Sequence, residues 1–158
     1  MMGIITRLFA RDAAVSQAGP PDARALAALH AASFHRGWSE DEFERLLSDR
    51  HIVAHRATAG AALAGFILSR LVSDEAEILS IAVASARQGR GLARQLLDTN
   101  LRRLAALGAR SVFLEVGEAN VLARRLYRRA GFQEVGRRQA YYAAGHGGAA
   151  LVLRRDLP

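Results

Sequence analysis

Leu92, Leu96, Leu97, Leu101 and Leu104 recur at three- and four-residue intervals among polar positions, the spacing of a helix that buries one stripe. They predict a helix from just after Gly91 to about Leu107, with Gly108 placed to close it. "WSEDEFERLLSD" predicts a second helix: Ser39 and Glu42 form a capping box, and Phe43, Leu46 and Leu47 are its apolar stripe. A third starts at about Pro21 and sets Leu26, Leu29 and Ala32 on one face, and "ANVLARRLYRRA" predicts a fourth, stopped by Gly131. Between them lie β-like runs at 51–58, 61–72, 76–83 and 111–116, the first two joined by a turn at Ala59-Gly60. "FQEVGRRQAYY" and "AALVLRRDL" predict a closing antiparallel pair. The order is helices, a β meander, βαβα and a hairpin: an α/β (α+β) fold in one domain spanning 20–158, with 1–19 expected as an N-terminal extension.

Composition narrows this little. The chain has 158 residues and no cysteine, which removes disulfides, thiolate metal sites and a cysteine nucleophile, and the spacing of its histidines suggests no metal site. No apolar run is long enough to span a bilayer, and Arg7, Arg11 and Asp12 interrupt any signal-peptide core, so a cytoplasmic location without a membrane partner is expected. The formal charge is +7, carried by 22 arginines and no lysine, a usage that looks like codon bias and weakens the total as evidence for a nucleic-acid ligand. Its distribution says more: residues 1–80 carry −2 and residues 81–158 carry +9. A polyanionic ligand belongs to the second half.

The stretch "ARQGRGLARQLL" gives that ligand a place. Gly89 and Gly91 permit backbone conformations closed to other residues and let a ligand approach the main chain. The helix that follows offers unpaired amides beside the positive end of its dipole, an anion site. Arg87, Arg90 and Arg94 add charge. A Walker A loop is excluded because Gly-Lys-Ser/Thr is missing, and a dinucleotide fingerprint fails where Arg94 replaces its third glycine. A pyrophosphate held by backbone amides, as in coenzyme A, and a solvated glycine-rich turn both remain.

"QGRGLA" resembles the Q/R-x-x-G-x-G/A signature of the GNAT N-acetyltransferases, with Gln88, Gly91 and Ala93 in the signature positions. "ILSIAV" is similar to the strand before that signature. "FLEVGEANVLARRLYRRAGF" is similar to the strand and helix after it, with Asn120, Ala123, Leu126, Tyr127, Gly131 and Phe132 in place. Within the family the likeness is greatest to the branch that acetylates the N-terminal alanine of a ribosomal protein, and it covers about residues 20–158. The resemblance implies a central mixed, mostly antiparallel sheet flanked by helices, with acetyl-CoA as co-substrate and direct transfer in a ternary complex. It implies a coenzyme site at Gln88, Gly89, Arg90, Gly91, Leu92, Ala93 and Arg94, with the backbone of Ile81, Ala82 and Val83 pairing with the pantetheine and Asn120 contacting its arm. Asn120 also fits a helix N-cap.

Amine acetylation needs a neutral amine, a polarised thioester and a proton for the leaving thiolate. A free α-amino group has a pKa of about 7.7–8.0 against about 10.4 for lysine, so an N-terminal acceptor asks less of a base. Glu115, the sole ionisable side chain of "SVFLEV", is the candidate base, against the alternative of an exposed glutamate paired with an arginine. Tyr127, two turns after Asn120, is the candidate acid, against the alternative of a packed core aromatic. Trp38, Tyr141 and Tyr142 are candidate acceptor-binding residues. The resemblance also implies an acidic pair before the last strand, where this chain has Gly147 and Gly148; the clusters at 40–44 and 74–77 are the acids left to hold a basic acceptor. Three functions compete: acetylation of a protein N-terminus, acetylation of a small amine or lysine, and nucleic-acid binding without catalysis. The last is disfavoured, because the basic half lacks interleaved stacking aromatics.

Overall fold

The computed structural model describes residues 13–140 and 148–158. Its strands are β1 (Ala14–Gln17), β2 (Ile52–Ala59), β3 (Ala62–Val72), β4 (Glu75–Val83), β5 (Ser111–Gly117), β6 (Gln133–Ala140) and β7 (Gly148–Asp156). Its helices are α1 (Ala23–Ser33), α2 (Glu40–Ser48), α3 (Leu92–Ala106) and α4 (Val121–Arg129). The strands form one sheet in the order β1-β2-β3-β4-β5-β7-β6, and every pairing is antiparallel except β4 with β5. That is the mixed, mostly antiparallel sheet expected.

Local chemistry explains the element ends. Ser39 Oγ accepts from the Glu42 amide at 3.2 Å while Glu42 Oε2 accepts from the Ser39 amide at 3.1 Å, the capping box read from the sequence. Gly108, at φ +100°, follows α3. Two expectations need correction. Residues 14–17, read as part of an extension, pair with Thr58–His55 of β2. "AVSQ" alternates too briefly to announce a strand, and β2 recruits it by backbone pairing alone. The buried stripe of α1 is Ala23, Leu26 and His30; Ala32 is exposed.

Two cores cover the two sheet faces. On one, Ile67, Ile78, Val112 and Leu114 pack with Leu96, Leu97, Leu101 and Leu104 of α3 and with Tyr127 of α4. On the other, Phe66, Leu68 and Ala82 pack with Leu26 of α1 and Phe43 of α2. A bulge divides β4 between them: Ser69 lies opposite Ile78 and Leu68 opposite Ser80, which leaves Leu79 as an extra residue. Below it Ala76 and Ile78 face α3; above it Ile81 and Val83 take that face, while Ser80 and Ala82 turn toward α1 and α2. Gly65 lets β3 and β4 close above α3, because a Cβ there would lie 2.9 Å from Ala82 O and 3.0 Å from Leu96 Cδ1.

The parallel pairing is short. It covers Glu75–Glu77 against Ser111–Phe113, after which β4 runs on to Val83 and β5 to Gly117 without pairing. Their C-terminal ends, unpaired with each other, leave a gap in the sheet.

Candidate active site

The backbone along the gap is set by alternation. The Ala84 amide donates to Ala64 O at 2.8 Å, and the register puts Val83 opposite Gly65 and Ala82 opposite Phe66. In an antiparallel pair the groups of alternate residues point to alternate sides. The N–H and C=O groups of Ile81 and Val83 therefore point into the gap, while those of Ala82 are committed to β3. Of the three residues expected to offer backbone groups, only Ile81 and Val83 turn theirs into the gap.

At the mouth of the gap, Gly89 and Gly91 adopt φ +76° and +78°, the left-handed region that favours glycine. Gly91 is the N-cap of α3 and has no side chain to satisfy the first amides of the helix. Gln88 Nε2 donates to Val83 O at 3.2 Å and so ties the loop to the end of β4. A cleft of about 530 Å³ opens here. Ile81, Ala82, Val83, Gln88, Gly89, Gly91, Leu92, Ala93 and Arg94 line it from β4 and α3, and Leu122, Ala123, Arg125, Leu126 and Arg129 line it from α4. Arg87 also lines it, whereas Arg90 is exposed outside. Arg94 Nε donates to Asp98 Oδ1 at 2.9 Å, one turn along α3.

The α4 wall was not read from the sequence, although its residues recur at helical spacing along one face. Leu122 is 76% exposed, an apolar side chain held at the cleft rim without a protein partner to cover it. Asn120 caps α4, its Oδ1 accepting from the Ala123 amide at 3.2 Å, and it stands outside the cleft lining. Arg155 Nη1 donates to Ala130 O at 2.8 Å and anchors the C-terminal end of α4 to β7.

Tyr127 lies on the α3 face, 5% exposed, with its ring edge-on to Phe132 at 5.6 Å. Burial pushes its phenol up to about 12. Glu115 occupies the other face. Val112, Leu114 and Val116 face α3, so the alternating Phe113 and Glu115 face away from it. Glu115 Oε2 accepts from Arg138 Nη2 at 2.7 Å; Arg138 comes from β6 and reaches across β7. The candidate base and acid thus stand on opposite faces of the sheet, on either side of the gap.

Trp38, in the link between α1 and α2, stacks on His30 with centroids 4.5 Å apart, and its amide donates to His30 Nδ1 at 3.0 Å. His30 is also packed by Phe34, Phe43 and Phe66, and its burial lowers its pKa against the opposing pull of Glu42. Tyr141 and Tyr142 lie outside the described residues. Among the described residues no group of three or more His, Cys, Asp or Glu is placed to hold a metal, and no helix is long and apolar enough to cross a membrane.

A sheet whose parallel pairing stops after three residue pairs, with a glycine loop and an uncapped helix at the opening, is the arrangement that the resemblance to an acetyltransferase implies. The chain belongs to the acetyltransferase (GNAT) family, whose profile matches residues 23–132. It is 38% identical over 85% of its length to the N-alpha-acetyltransferase RimI of Mycobacterium tuberculosis, covering 87% of that protein. It is 36% identical over 73% of its length to the ribosomal protein bS18-alanine N-acetyltransferase of Salmonella typhimurium, covering 78% of that protein. The crystal structure of the ribosomal-protein-S18-alanine N-acetyltransferase from Escherichia coli superposes with a TM-score of 0.84 at 27% identity, over 92% of this chain and 94% of that one. Arabidopsis thaliana NAA60 in complex with acetyl-CoA shares the fold, with a TM-score of 0.83 at 20% identity over 92% of this chain and 99% of that one.

Proposed function

We propose that this enzyme transfers the acetyl group of acetyl-CoA directly, in a ternary complex, to the N-terminal α-amino group of a protein, with the N-terminal alanine of a ribosomal protein as the acceptor. The relatives named for that reaction align over most of their length. The observation that carries the reading is the placement of the cleft and Glu115 on the two sides of one gap. Coenzyme and acceptor then approach from opposite faces and meet between β4 and β5.

The residues present fit coenzyme A. The uncapped amides of Leu92, Ala93 and Arg94 and the open loop backbone receive the pyrophosphate, with Arg87, Arg94, Arg125 and Arg129 around it. Ile81 offers free N–H and C=O groups to the amides of the pantetheine, and Val83, whose carbonyl is held by Gln88, keeps its N–H free. The coenzyme supplies an activated thioester. The Val83 N–H, aimed into the gap, donates to the acetyl oxygen and stabilises its developing charge. Asn120 spends Oδ1 on its helix cap, so Nδ2 is the group it has for the pantetheine arm.

Glu115 takes the proton of the attacking amine through the oxygen that Arg138 leaves free, or through a water. Tyr127 donates to the leaving sulfur from the α3 face. Its phenol at about 12 is a weaker acid than a free tyrosine, and burial disfavours the thiolate too, so a hydrogen bond between them stabilises the sulfur as the amide forms.

The test is a thiol-release assay with acetyl-CoA against peptides beginning with Ala or Ser, lysine peptides with blocked N-termini, and small amines. Release with the N-terminal peptides is the expected result. Release with small amines or lysine peptides alone overturns the acceptor assignment, and release with none overturns the enzymatic reading.

A further inference from the structure

Among the described residues, one buried side-chain polar atom has no hydrogen-bond partner: Ser80 Oγ, in a residue 8% exposed. A buried hydroxyl left without a partner costs about 1–3 kcal/mol, so its position asks what it is kept for. The bulge at Leu79 turns Ser80 to the α1–α2 side of the sheet, where it lies opposite Leu68. Glu115 is on that same side, since Val112, Leu114 and Val116 take the other. The two are also level. The parallel register pairs Glu77 with Phe113, and carrying it past the extra Leu79 brings Ser80 abreast of Glu115. Paired strands lie about 4.8 Å apart, and past Glu77 and Phe113 β4 and β5 no longer pair, so the two side chains project on one face from strands that flank the gap. Arg138 occupies Glu115 from the far side, across β7.

We infer that Ser80 is an acceptor-binding residue: its hydroxyl accepts an N–H of the attacking amine, while Glu115 takes the proton that the amine gives up. The inference rests on the proposed acetyl transfer and adds to it a second group at the nitrogen. In the balanced step the amine nitrogen bonds the acetyl carbon, the carbon–sulfur bond breaks with its electron pair going to the sulfur, which leaves as a thiolate hydrogen-bonded by Tyr127, and the amine proton goes to Glu115. Ser80 keeps its own proton throughout. Its part is to aim the nitrogen lone pair at the end of the gap where the Val83 amide waits. Without the bulge, position 80 would face α3 and have no access to the acceptor side.

The experiment is Ser80→Ala, made alone and with Glu115→Gln, with melting temperature and steady-state kinetics on an N-terminal-alanine peptide. Removing an unpartnered buried hydroxyl leaves the melting temperature unchanged or raised. The expected kinetic result is a loss of about 10-fold in kcat/KM for the peptide, with KM for acetyl-CoA unchanged. That loss shrinks in the Glu115→Gln background, because both groups act on one nitrogen. A peptide kcat/KM within twofold of wild type overturns the inference while leaving acetyl transfer standing, and so does a loss matched by a fall in melting temperature. A wild-type enzyme inactive on every amine overturns the acetyl-transfer reading itself.

Discussion

Arg138 Nη2 donates to Glu115 Oε2 at 2.7 Å, linking β6 to β5 over the intervening β7. Both side chains are substantially exposed, so the pair adds little to stability. Its weight falls on the acceptor instead, because it puts a fixed positive charge beside the place where an ammonium must arrive. Arg138→Gln is expected to leave the melting temperature nearly unchanged and to lower KM for the peptide a few-fold at low ionic strength. Kinetics at two salt concentrations check this: a KM that does not respond removes Arg138 from the acceptor side.

Glu115→Gln keeps the shape and removes the base. At pH well below about 8 the α-amine is mostly protonated and a proton must be taken from it, so the variant is expected to lose about 10²–10⁴-fold there and less as pH rises. A pH–rate profile from 6 to 9.5 decides it; equal rates at every pH would discard Glu115 as the base.

Tyr127→Phe retains the ring against Phe132 and deletes the donor. Turnover should fall about 10²-fold or more with the fold intact. Stability supplies a second measurement. Because the folded phenol sits at about 12 and an unfolded one near 10, its contribution is complete below about pH 10 and is lost as pH rises toward 12. Melting temperatures from pH 9 to 11.5 should fall more steeply for wild type than for the variant.

His30 and His55 are both buried with lowered pKa, His55 by desolvation and the nearby Arg103. Each binds a proton less readily in the native state than in the unfolded chain, which takes one up below about 6.5. Their contribution is present above that pH and is lost as pH falls through the folded values. His30→Asn keeps an acceptor for the Trp38 amide and removes one titrating group. It is expected to flatten the loss of melting temperature between pH 7 and 5; an unchanged slope would show that His30 does not drive it.

Gly91→Ala meets no atom within 4 Å, yet its φ of +78° costs an L-residue about 1–2 kcal/mol. Shifting the loop to relieve that strain disturbs the first amides of α3. Calorimetry should show weaker acetyl-CoA binding by about 10-fold with a small fall in melting temperature. Unchanged affinity would mean that the loop does not hold the pyrophosphate.

Much of this was legible in the chain itself because the signals are local. The leucine spacing of α3, the Ser39–Glu42 box and the paired glycines each act within a few residues. What escaped depends on distant partners. Ala14–Gln17 becomes a strand because β2 is there to pair with it. The choice of Ile81 and Val83 over Ala82 depends on which residues of β3 lie opposite. Glu115 does pair with an arginine, as its exposed position allowed, but nothing in "SVFLEV" points to Arg138 23 residues away. Asn120 fills the N-cap position that the sequence permitted.

Three residue pairs join β4 to β5, and on the far side of that join β5, β7 and β6 form a ladder of their own. The sheet therefore divides into two ladders meeting at a narrow seam, with α3 on the one length of chain that runs from the first ladder to the second. The cleft beside the seam is walled by β4 and α3 on one side and by α4 on the other, so an occupant bridges chain from before and after the crossover.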